Sequence, residues 1–152
     1  IIIVIIYSLE KEVFMTKEKY EELQKKADED VKMPSDMNGL MQKNDIMATL
    51  IQEWIKICNR QAYNVIEIEE RINQLKGKLV KYYKYEDNYK WNTLAECESQ
   101  AMYNPQFIKY RKVYLKQKAY LKFFEDTLAN LKGMPYSIKN DIEWKKYGMG
   151  MS

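Results

Sequence analysis

The sequence predicts an all-α protein, a small elongated helical bundle built around one long heptad-patterned helix. Three observations predict it. Only five Gly and three Pro in 152 residues leave too few turn sites for a many-stranded sandwich or barrel. Apolar residues recur at steps of three and four over long stretches, the spacing of one helix face. Helix-start signals stand at the heads of these stretches: Thr16, then Ser35 or Asp36, then Thr93, then Asn104 followed by Pro105. At this length one domain is expected, two at most. With 46% hydrophobic and 31% charged residues, the composition is that of a folded soluble protein, not of a disordered tail or a membrane protein.

Residues 1–7 form an intensely apolar run, but Ser8, Glu10, Lys11 and Glu12 follow too soon for the roughly 20 apolar residues that span a bilayer. No basic residue precedes the run and no small-residue cleavage site follows it, which disfavours a signal peptide. The chain opens without methionine, and Met15 directly precedes the helix start at Thr16. The expectation is that residues 1–14 are an upstream translation or gene-calling extension and residues 15–152 a single helical domain.

Residues 16–30 read as a short helix with an acidic end, broken at Met33 and Pro34. The next helix is long: Met47, Ile51, Trp54, Cys58, Val65, Ile68, Ile72, Leu75, Leu79 and Tyr82 alternate steps of three and four, with Gln61 the polar member of the series. Thirty-six residues at about 1.5 Å rise make a rod of roughly 54 Å, too long to be covered by its own small domain. Partner helices, within the protomer or between copies, are expected to cover it. Residues 82–92 are polar and aromatic and end at Thr93 and Glu96, the T-x-x-E form of a capping box. The short helix that starts there stops at Asn104. Pro105 then opens a helix expected to end at Gly133, with Phe107, Tyr110, Tyr114, Leu121, Phe124, Leu128 and Leu131 as its seam, broken by Gln117. Ser137 is expected to cap a final short helix over residues 138–146. No internal repeat is present.

Charge is divided unevenly along the chain. Residues 1–70 hold nine Lys and Arg against fourteen Asp and Glu, and residues 71–152 hold sixteen against eight, so a net +3 conceals halves of −5 and +8. Such polarity suits head-to-tail self-association or a polyanionic partner. Two stretches lack carboxylates altogether: residues 71–85, with five basic residues, and 99–124, with six.

Several chemistries are disfavoured. The chain has no His, the side chain most used for proton transfer near neutrality and the commonest metal ligand, so no enzyme is expected. Cys58 and Cys97 form no C-x-x-C pair and read as free thiols of a reducing cytoplasm, with no zinc or redox centre. Neither a G-x-x-x-x-G-K-[ST] loop nor a G-x-G-x-x-G turn occurs, which argues against a recombinase or helicase motor. Asp28, Glu29 and Asp30 are consecutive on a helix, cannot converge on Mg²⁺, and read as a solvated helix end. No cofactor or metal is expected.

The positive signal pairs cations with rings. Lys76, Lys78, Lys81 and Lys84 interleave with Tyr82, Tyr83, Tyr85, Tyr89 and Trp91. Single-stranded nucleic acid needs that combination, because cations neutralise phosphates while exposed bases stack on rings of any sequence. A bland alternative stands beside it: a lysine face that merely solvates a long helix, with Tyr82 in the core because it continues the seam. In the second stretch Lys109, Lys112 and Lys116 share a face, and Arg111, Lys118 and Lys122 occupy another, while Tyr110, Tyr114 and Phe124 read as core.

The run Trp54-Ile55-Lys56, the stretch from Ile68-Glu69 to Leu75-Lys76-Gly77-Lys78-Leu79-Val80-Lys81-Tyr82-Tyr83, and the ending Leu131-Lys132-Gly133-Met134-Pro135-Tyr136-Ser137-Ile138-Lys139-Asn140-Asp141-Ile142 resemble, in order and spacing, the UvsY-type recombination mediators of T4-like phages. The resemblance extends over residues 20–150. It implies a helical protein without catalysis of its own that assembles into a ring-like homo-oligomer and binds single-stranded DNA. It implies a role in recombination and repair, helping a RecA-like recombinase replace single-strand-binding protein in the cytoplasm of an infected bacterium. The family's basic pair corresponds to Lys76 and Lys78, with Lys where Arg is also found, which keeps the charge but loses the planar fork. No role carries over to the segment after Tyr83 or to the first fifteen residues. Two rivals remain: a coiled-coil structural or assembly protein without DNA binding, and a membrane-surface protein anchored by residues 1–7.

Overall fold

The computed structural model describes residues 14–87 and 91–150. The apolar run at residues 1–7, all but the last residue of the expected extension, and Tyr89 lie outside the described residues. Among the described residues there are four helices and no strand: α1 (Lys17–Asp30), α2 (Met37–Tyr85), α3 (Leu94–Tyr103) and α4 (Pro105–Gly148).

The local signals act as their chemistry requires. Thr16 caps α1, its hydroxyl accepting from the Lys19 N–H at 3.2 Å. At the head of α2 the cap is Asp36, whose carboxylate accepts the Gly39 N–H at 3.1 Å. Gly39 makes that contact possible, since a Cβ there would stand 2.7 Å from Asp36 Oδ1 and 2.9 Å from Pro34 Cβ. At α3, Thr93 and Glu96 form the reciprocal capping box, with Glu96 N–H donating to the Thr93 hydroxyl and Thr93 N–H to the Glu96 carboxylate. Asn104 accepts the Gln106 N–H at 2.9 Å and heads α4, with Pro105 in the first turn where no N–H is needed.

The chain packs as two compact units. One comprises Ala62–Ala119 with residues 14 and 15. Its core is Ile68, Ile72, Leu75 and Leu79 of α2, Ala101 of α3, and Phe107 and Tyr110 of α4. Phe14 packs against this cluster, and the buried Gln117 amide donates to the Met15 carbonyl at 2.8 Å.

The other unit comprises Thr16–Gln61 with residues 120–150. Leu23 and Ala27 of α1, Leu40, Met47, Leu50, Trp54 and Cys58 of α2, and Tyr120, Phe124, Leu131, Met134 and Ile138 of α4 are buried there. Tyr20 stacks on Tyr120 at 3.9 Å between centroids, and Trp54 lies 6.1 Å from Phe124. Each large apolar side chain removed from water in this way contributes about 1.5–3 kcal/mol.

Two expectations are overturned at the end of α4. The helix does not stop at Gly133, and Ser137 caps nothing, because α4 continues unbroken to Gly148. Leu131, Met134 and Ile138 carry the buried face on at steps of three and four. Their burial outweighs about 1 kcal/mol for a glycine and about 3 kcal/mol for a proline inside a helix. Pro135 has no N–H for the Leu131 carbonyl, and the surrounding turns hold the helix without that bond. The seam differs in detail as well: Leu50 is buried ahead of Ile51, and Tyr120 and Thr127 are buried where Leu121 and Leu128 are only half-buried. Thr127 is admitted because its hydroxyl donates to the Phe123 carbonyl at 2.9 Å.

Candidate nucleic-acid interface

Lys76, Lys78, Lys81 and Lys84 stand on the last turns of α2, where Leu75 and Leu79 point into the core and fix which way the lysines face. Lys76 is half-buried beside the seam, and the other three are exposed. At about 100° per residue, Lys76 and Lys78 lie about 200° apart, on opposite flanks of the buried seam. They therefore do not form one clamp. Lys78, Lys81 and Tyr85 share a face by their i, i+3, i+7 spacing. Among the described residues no carboxylate lies within ion-pair distance of Lys76, Lys78 or Lys81.

The rings near these lysines divide into two kinds. Tyr85 is 66% exposed, with the Lys84 ammonium 5.5 Å from its centroid. The others have structural partners. Tyr82 and Tyr83 are half-buried and meet edge to face at 5.2 Å, and the Tyr83 hydroxyl accepts from the Asn104 amide at 3.0 Å. Trp91 donates from its indole to Asp87 at 3.2 Å, and its carbonyl faces the buried Cys97 thiol at 3.7 Å. An open recess of about 510 Å³ lies beside them, lined in part by Tyr82, Asp87 and Gln106. The buried Gln106 Oε1 has no partner among the described residues, so that side chain can accept one more hydrogen bond.

On α4, Lys109, Lys112 and Lys116 are all exposed on one face, as the spacing predicts. Lys112 has no ion-pair partner among the described residues, whereas Lys109 and Lys116 are engaged in contacts of their own. The second row is more compromised. Lys118 lies 5.6 Å from the Tyr114 ring centroid, and Lys122 is bound to Asp126 at 2.7 Å, a carboxylate just outside the acid-free stretch. Tyr110 and Phe124 are buried and Tyr114 is half-buried.

The acidic cluster does not behave as one solvated end. Asp28 and Glu29 are exposed, but the Asp30 carboxylate is held by the Lys26 ammonium at 2.9 Å and the Trp54 indole at 2.8 Å, with its side chain only 14% exposed. No local pattern signals this contact, because Trp54 is 24 positions away. Also unnoticed in the sequence are Tyr136, Trp144 and Tyr147, exposed by 73, 74 and 79%. The expected helix end at Gly133 hid their common face on α4.

Among the described residues no three cysteine or acidic side chains converge as a metal site requires, and no helix is long and apolar enough to cross a membrane. No protein family, curated protein or solved structure matches the chain at a significant level.

Proposed function

We propose that this chain is a non-enzymatic recombination mediator that binds single-stranded DNA. In this reading it works as a homo-oligomer in the cytoplasm of an infected bacterium. There it contacts a RecA-like recombinase and single-strand-binding protein and helps the first replace the second on DNA. The observation that carries the reading is that Lys78 and Lys81, which lack ion-pair partners among the described residues, share a face of α2 with the exposed Tyr85 ring. Cations without compensating carboxylates gain most from a polyanion, and a solvent-facing ring adds stacking that does not depend on base sequence. Lys112 extends the same chemistry on α4. Likeness to UvsY-type mediators supports the biological role.

A mediator must hold DNA and then yield it. Single lysines give modest, salt-sensitive contacts, and several linked copies raise the overall affinity without strengthening any one contact. The test is fluorescence anisotropy of a labelled oligo-dT against a duplex of equal length, titrated with salt. Preference for the single strand is expected, and equal weak binding to both would overturn the reading. A coiled-coil scaffold without DNA binding is the second reading. Tyr63 and Ile66 favour it, being 62% and 54% exposed on α2, where a partner helix would cover them. No binding to either oligonucleotide would select it.

A further inference from the structure

We infer that the last three turns of α4 are a second nucleic-acid contact, a platform on which unpaired bases stack against Trp144 and Tyr147. This rests on the single-strand-binding reading above. The two rings meet edge to face, with centroids 6.4 Å apart and planes at 83°, an arrangement that leaves ring faces open. Their exposures, 74% and 79%, are among the highest for large apolar side chains in the chain. Beside them lies an open recess of about 540 Å³, lined by Asn140, Glu143, Trp144 and Tyr147. Asn140 offers an amide that can both donate to and accept from a base edge.

Charge on the neighbouring face selects the occupant. Lys132, Lys139 and Lys146 recur every seven residues, about 10.5 Å apart along the helix, and all three are exposed without an ion-pair partner among the described residues. Lys139 and Lys146 also line the adjoining recess with Tyr136. A strand can thus place bases on the rings and phosphates along the lysine row. Glu143, which lines both recesses, repels phosphate and confines the backbone to the lysine side. An apolar protein surface would match the rings but leave the lysine row unpaired.

The three tryptophans make the platform directly readable. Trp54 is fully buried and Trp91 is half-buried and bonded to Asp87, so stacking of a base is expected to quench mainly Trp144. Oligo-dT titrated into the full chain should quench tryptophan emission, and Trp144→Phe should abolish that change. By anisotropy, Trp144→Ala with Tyr147→Ala should weaken binding at least tenfold while helicity by circular dichroism stays unchanged. Binding by anisotropy with no Trp144-dependent quench overturns this inference and leaves the lysines of α2 as the binding surface. So does a double variant that binds as the parent does, or one that loses affinity only because sedimentation shows smaller assemblies. Absence of any oligo-dT binding overturns both this inference and the function on which it rests.

Discussion

The indole N–H of Trp54, a ring fully buried on α2, donates to the carboxylate of Asp30 at the end of α1, at 2.8 Å. Lys26 completes the group by bridging Asp30 at 2.9 Å and Glu53 at 3.0 Å, and Lys43 donates to the Asp30 carbonyl at 2.6 Å. A charged acceptor thus satisfies the one polar atom of a core tryptophan while tying two helices together.

Asp30→Ala leaves the buried indole without an acceptor and is expected to cost about 1.5–3 kcal/mol in urea unfolding. Asp30→Asn keeps an acceptor and should cost less. Equal losses from the two variants would mean that the charge, and not the hydrogen bond, matters.

Three groups of the same unit that are at least partly buried hold their protons more tightly than usual. Burial is the main cause at Tyr20, aided by Tyr120 and opposed by a hydrogen bond with Gln24. Burial also leads at Cys58, with Glu125 adding to it and Lys132 opposing it. At Lys26 burial acts downward, but Asp30 and Glu53 together outweigh it. All three shifts are upward from ordinary values of 10.0, 9.0 and 10.5, so the unfolded chain releases these protons first. Their stabilisation is complete below pH 9 and is lost as pH climbs through the folded-state values. Urea midpoints should accordingly fall above pH 9, and a midpoint that rises there would contradict the assignment.

Gly133 sits within α4 with nothing within 4 Å of an added Cβ. Gly133→Ala should raise stability by about 0.5–1 kcal/mol. Pro135→Ala restores an N–H to the helix and should also stabilise. Thermal unfolding of each variant decides, and a lowered midpoint for Gly133→Ala would show that the helix is not continuous there.

Thr93→Ala removes the acceptor for the Glu96 N–H and should cost about 1 kcal/mol. Hydrogen exchange should localise the loss to α3, with faster exchange of the buried Cys97 amide in the same helix.

Lys76 and Lys78 flank the seam on opposite sides, so they cannot grip one phosphate together. Their alanine variants should weaken oligo-dT binding additively, and the double variant should lower the salt slope by about 1.4, two phosphates at about 0.7 each for a single strand. An unchanged slope in the double variant would remove both lysines from the interface.

Interactions within one turn of helix were legible in the chain itself. Thr16, Thr93, Asn104 and the three-and-four spacing of Leu75, Leu79, Phe107 and Tyr110 depend on neighbours two to four residues away, so their roles follow from order alone. The outward direction of Lys78, Lys81, Lys84 and Lys112 followed from the same spacing. Tertiary packing decided the rest, because it sums many contacts between distant residues. Burial of Leu131, Met134 and Ile138 carried α4 through Gly133 and Pro135 against their local preference. Only the fold could bring Asp30 to Trp54, give Tyr83 to Asn104, and leave Tyr85 and Trp144 facing water.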